Sequence, residues 1–120
     1  IYDLKGFFLV RKRPAEKILG GMYEIPSSSW ESIKNFKYKD FLIFKKNYKP
    51  ISLKKIIKHE FSHFTLLLQV IIVKKEKLKK NSFRGQWVNQ KSLKEFPISN
   101  LTKKVIDYSL EEISSLKKFL

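Results

Sequence analysis

Leu19-Gly20-Gly21-Met22-Tyr23-Glu24-Ile25-Pro26 is the stretch on which the fold turns. Gly20-Gly21 marks a loop, because glycine takes backbone angles that other residues resist. Tyr23 to Ile25 is strand-prone, and Pro26 ends the strand. Upstream, Phe7-Phe8-Leu9-Val10 predicts a short buried strand, which the chain leaves at Arg11-Lys12-Arg13-Pro14. Asp3 and Gly6 predict a turn before it, so Tyr2 reads as the tail of an earlier strand. Downstream, Ser27, Ser28 and Ser29 supply a helix cap, and Ser28 with Glu31 has capping-box spacing. Trp30, Ile33, Phe36, Phe41 and Phe44 then recur at roughly helical intervals, although Tyr38 to Phe44 is also β-prone.

Lys49-Pro50 is a break. Ile51 to Glu60 alternates loosely, as a strand does. Phe64 to Val73 is nearly continuous and apolar, which predicts a central strand covered on both faces. Lys74 to Arg84 is a polar connection. Gln86 to Asn89 reads as a short strand around Trp87, and Ser92 to Phe96 as a helical turn stopped by Pro97. Ser99 or Asn100 caps a last helix. Its apolar face is Leu101, Val105, Tyr108, Ile113 and Leu116, widened by Ile106 and Leu110. Strands and helices interleave without an internal repeat. The class is α+β or α/β, with a mixed sheet packed between helices.

The 120 residues fit one domain, 1–120, and 42% hydrophobic residues can build a core. The chain opens at Ile1 and its only methionine is Met22, so a fragment of a longer protein is expected. With no cysteine, these residues offer no disulfide, thiol nucleophile or cysteine-held metal cluster. The longest apolar run is too short to span a bilayer. The formal charge is +15, which attracts polyanions and nucleic acid above all. Yet only Arg11, Arg13 and Arg84 are arginines among 26 basic residues, and isoleucine far outnumbers alanine. That skew also fits the residue usage of an AT-rich genome, so charge alone leaves both readings standing.

Three constellations bear on chemistry. His59-Glu60-Phe61-Ser62-His63 matches the zinc-protease pattern H-E-x-x-H. It runs into a strand-like stretch, where positions four apart are about 13 Å apart rather than on one helix face. There is no third His or Cys, so a zinc site is not expected. A pyrophosphohydrolase that holds divalent metal needs several carboxylates on one helix. The helix after Pro26 offers Glu31 and then Asp40, and Glu111-Glu112 read as a surface pair. No nucleophile elbow or phosphate loop is present. No catalytic or metal-binding residue is therefore assigned.

Taken together, the segments resemble the C-terminal domain of the MutY adenine DNA glycosylases. Phe7 to Pro14 looks like that family's opening strand with its Arg-Pro. Leu19 to Pro26 looks like its Gly-Gly-Leu-Trp/Tyr-Glu-Phe/Ile-Pro stretch, with Met22 in place of Leu. Lys58-His59-Glu60-Phe61-Ser62-His63-Phe64 resembles its Phe-Ser-His loop before a long apolar strand. Gln86-Trp87-Val88 and Phe96-Pro97 resemble its Trp-Val and later Pro. Each motif alone is weak, but four in order from Phe7 to Tyr108 are fairly specific.

The resemblance implies a Nudix-like fold without pyrophosphohydrolase activity, its first strand lying before Ile1. It implies recognition of 8-oxoguanine paired with adenine in base-excision repair, through Phe61, Ser62 and His63. It implies an upstream helical domain, with an iron–sulfur cluster, that removes the adenine as a hydrolase of N-glycosyl bonds. The implied partners are duplex DNA carrying the mispair and that catalytic domain, in a monomer in the bacterial cytoplasm. Tyr23, Glu24 and Trp87 read as scaffold. Two alternatives stay open: an active nucleotide pyrophosphohydrolase of degenerate sequence, and a generic interaction domain whose charge is genome drift.

Overall fold

The computed structural model describes residues 1–32, 34–35, 50–77 and 83–117. The ordered elements are β1 (Phe8–Lys12), β2 (Tyr23–Glu24), β3 (Ile51–Glu60), β4 (Thr65–Ile72), β5 (Gln86–Val88), α1 (Gln90–Leu93) and α2 (Asn100–Lys117), with a 3-10 turn at Lys75–Lys77. β1 is the middle strand of a sheet ordered β2-β1-β5. Its two ladders are antiparallel, pairing Phe8 with Val88, Leu9 with Trp87 and Arg11 with Glu24. β3 and β4 form a separate antiparallel hairpin. Parallel bridges Tyr2–Lys74 and Tyr23–Ile98 add the mixed character expected of the sheet.

Local chemistry explains the joints. Asp3 Oδ1 accepts the amides of Lys5 and Phe7 at 2.9 Å, which makes the turn before β1. Tyr2 makes isolated bridges to Phe8 and Lys74. In the loop from Pro14 to Gly21, Gly21 has φ +83, where other side chains are strained. Gly20 is needed for a different reason, since a Cβ there would strike the carbonyls of Pro14 and Ala15. Ser99 caps α2, its Oγ accepting the Thr102 amide at 3.1 Å.

The core lies where α2 crosses the hairpin and β1 enters it. Phe8, Val10, Leu53, Ile57, Val70, Ile72, Val88, Leu101, Val105, Ile106 and Ile113 are buried together. The α2 members recur at helical spacing, as the sequence predicts. The expectation for β4 is corrected. Val70 and Ile72 are buried, but Leu67 is 51% exposed, and among the described residues β4 has one ladder partner, β3. An apolar run reports what a strand is made of, not how far its neighbours reach. The hairpin extends past the elements that cover its base.

The helix expected after Pro26 is also modified. Residues 27–32 carry no regular structure, and Lys34 and Asn35 form a turn. Ile33, Phe36, Phe41 and Phe44, which would complete it, lie outside the described residues.

The β3–β4 ladder is irregular between Ser52 and Ile56, where β3 carries extra residues. The Lys55 amide there donates to Tyr108 Oη on α2 at 2.9 Å. The hydroxyl thereby ties helix to hairpin. Tyr108→Phe should cost about 0.5–1.5 kcal/mol, read from the midpoint of urea unfolding.

Candidate functional site

The far end of the β3–β4 hairpin carries the residues singled out in the sequence. β3 ends at Glu60 and β4 begins at Thr65, so Phe61, Ser62, His63 and Phe64 form the tip. The Phe61 amide donates to the Phe64 carbonyl at 2.8 Å and closes it. The Phe61 and Phe64 rings stack at 4.8 Å between centroids. The His59 ring meets Phe61 edge-on, also at 4.8 Å. Phe61 is half-buried, whereas Ser62 and His63 are exposed. Among the described residues, neither makes a side-chain hydrogen bond.

The three predicted residues are thus adjacent but do different things. Phe61 is part of an aromatic platform that touches the core. Ser62 and His63 project from that platform. His63 takes no part in holding the tip. His59 does, because its Nδ1 accepts from Lys104 Nζ at 3.2 Å while its ring abuts Phe61. His59 and His63 lie at a strand end and in a turn, so the H-E-x-x-H spacing does not make a helical zinc face. Among the described residues, no group of three His, Asp or Glu is placed to hold a metal ion.

Behind the tip lies a charged cluster that the sequence did not announce. The Glu24 carboxylate takes Arg13 at 3.0 Å on one oxygen and Arg11 at 3.1 Å on the other. Arg11 also donates to the Ser27 carbonyl at 2.9 Å, and Arg13 to the Ile18 carbonyl at 2.6 Å. The Arg13 guanidinium lies 4.0 Å from the centre of the Trp30 ring. Trp30 in turn packs on Phe61 and Phe64, at 5.7 and 6.3 Å between centroids. The cross-strand register that sets Arg11 opposite Glu24 was the only signal that could have revealed the cluster.

These pairings narrow the meaning of the charge. Arg11 and Arg13 are engaged inside the domain, which leaves Arg84 as the exposed arginine. The Lys74 to Arg84 segment is in part packed as well, with Lys75 Nζ 4.4 Å from the centre of the Trp87 ring. Lys79 and Lys80 lie outside the described residues. Lys58 is exposed and pairs with Glu60 at 3.4 Å, a contact of little energetic weight in water. Among the described residues, no helix is long and apolar enough to cross a membrane.

A short two-sheet α+β domain, with a glycine loop between its first strands and a helix across its hairpin, defines the class. The NUDIX domain family model matches residues 1–108, and the chain belongs to that family. No curated protein matches it.

The tip presents hydrogen-bonding side chains to solvent. A hydroxyl both donates and accepts, and an imidazole does so through its two nitrogens. Among the described residues, the Ser62 hydroxyl makes no hydrogen bond to an imidazole or carboxylate. Glu24, in the strand that follows the glycine loop, is occupied by two guanidinium groups.

Proposed function

We propose that this NUDIX domain is the non-catalytic lesion-recognition module of a MutY-type adenine DNA glycosylase. In this reading its tip meets 8-oxoguanine opposite adenine, and a separate helical domain of the same protein removes the adenine. The observation that carries the reading is the tip itself. The Phe-Ser-His of the resemblance falls on an exposed hairpin end, with Ser62 and His63 presented on a stacked pair of phenylalanines.

Oxidised guanine differs from guanine by a carbonyl at C8 and a proton on N7. Ser62 is the side chain suited to both features, since it donates to the first and accepts from the second. Phe61 supplies an apolar surface beside the base. His63 is free to meet a phosphate. Lys104, beside His59 at the root of the tip, would hold the duplex backbone without reading sequence.

Kinetics of the whole glycosylase test this. Phe61→Ala with Ser62→Ala should reduce the preference for the oxidised-guanine mispair over the plain guanine mispair by roughly tenfold to a hundredfold, since one good base contact is worth about 1–3 kcal/mol. An unchanged ratio removes the loop from recognition. Magnesium-dependent turnover of oxidised nucleoside triphosphates by the domain would instead favour a pyrophosphohydrolase.

A further inference from the structure

The strongest unassigned feature is the line of contacts running from the glycine loop to the hairpin tip. Glu24 fixes Arg13, and the Arg13 guanidinium lies over Trp30. Trp30 packs on Phe61 and Phe64, whose stacked rings close the tip. We infer that Trp30, clamped by Arg13, is a positioning residue that holds the Phe61–Phe64 tip in its recognition geometry. The inference rests on the tip being the lesion contact.

Ser62 and His63 have no hydrogen bonds of their own among the described residues, so they are oriented only through the phenylalanines that flank them. Phe61 has His59 at its edge, Phe64 on its face and Trp30 beside it. Phe64 is 39% exposed, and its ring neighbours are Phe61 and Trp30. Among the described residues, Trp30 is thus the aromatic ring from outside the hairpin that contacts both rings. It comes from a segment without regular structure, which has no ladder to hold it in place. Arg13 supplies the anchor. It is buried, its Nε and Nη1 are both held by hydrogen bonds, and its guanidinium carbon lies 4.0 Å from the centre of the indole ring. A contact group must be held by locked neighbours to discriminate between two similar bases.

The test combines hydrogen exchange with kinetics in the whole glycosylase. The Phe61 amide, which donates across the tip, is the local reporter, and the Val10 amide in β1 reports on the fold. Trp30→Ala should speed exchange at Phe61 by about tenfold while leaving Val10 unchanged, and Trp30→Phe should restore most of the protection. The preference for the oxidised-guanine mispair should fall in step with the loss of protection. Unchanged Phe61 exchange in Trp30→Ala overturns the inference. So does equal acceleration at Phe61 and Val10, which would make Trp30 a general core residue. Local acceleration with an unchanged mispair preference supports positioning but rejects the lesion reading of the tip. If Trp30→Ala does not fold, Trp30→Leu keeps an apolar side chain without the indole face, and the same outcomes apply to it.

Discussion

Replacing Glu24 by alanine should destabilise the protein by about 3–5 kcal/mol at neutral pH, one of the two largest losses expected from a single substitution. The carboxylate is nearly buried, and so is Arg13. Removing it leaves Arg13 charged in a poorly solvated site with, among the described residues, the Ile18 carbonyl and the Trp30 ring as its side-chain partners. The penalty is that of a buried charge without its counterion, not merely that of one lost bond. Arg11 is 40% exposed on its side chain and can turn to water, so Arg11→Ala should cost about 1 kcal/mol or less. Urea unfolding of the two variants separates these values, with a midpoint drop of roughly 2 M for Glu24→Ala. Equal losses would mean that Arg13 does not depend on Glu24. Because small domains are stable by only about 5–15 kcal/mol, Glu24→Ala should also leave an unfolded fraction on mild warming.

Leu9→Ala should cost about 2–5 kcal/mol, while Leu67→Ala should stay within about 1 kcal/mol. Leu9 is 1% exposed and lies on the face of β1 opposite Phe8 and Val10, so this strand is covered on both sides. Its truncation opens a cavity next to Gly85, where the β5 approach already excludes any Cβ because the Val10 carbonyl stands in the way. Backbone that close cannot collapse freely into the space. Leu67 lies in the run that the sequence marks as the most buried, yet half of it meets water. Thermal unfolding of the two variants therefore checks the corrected placement of β4. A large loss at Leu67 would restore a central, covered strand.

What the sequence made legible was local. The turn at Asp3, the loop at Gly21 and the Ser99 cap each follow from one residue's chemistry within a few positions of the backbone it serves. The apolar face of α2 follows from helical spacing over five turns. The two strands of the hairpin were also legible as strand-like runs on either side of Phe61 to His63, but their pairing was not. The rest depends on neighbours distant in sequence. Leu67 has the same apolar character as Leu68 and differs only in what stands opposite. Arg13 and Glu24 are ordinary charges until the β1–β2 register brings them together. His59 lies 45 residues from Lys104, and no spacing rule connects them. In the candidate site, the sequence picked the residues that project but missed Trp30 and Arg13, which stand behind them.

The tip's proposed contact with the lesion is tested most directly by photocrosslinking. A benzophenone amino acid replaces His63 in the full-length protein, which is then irradiated on duplexes carrying either the oxidised-guanine or the plain guanine mispair. A crosslink concentrated at and beside the oxidised guanine is expected, and a much weaker one on the plain mispair. Equal yields on both duplexes, or crosslinks spread evenly along the backbone, would contradict it.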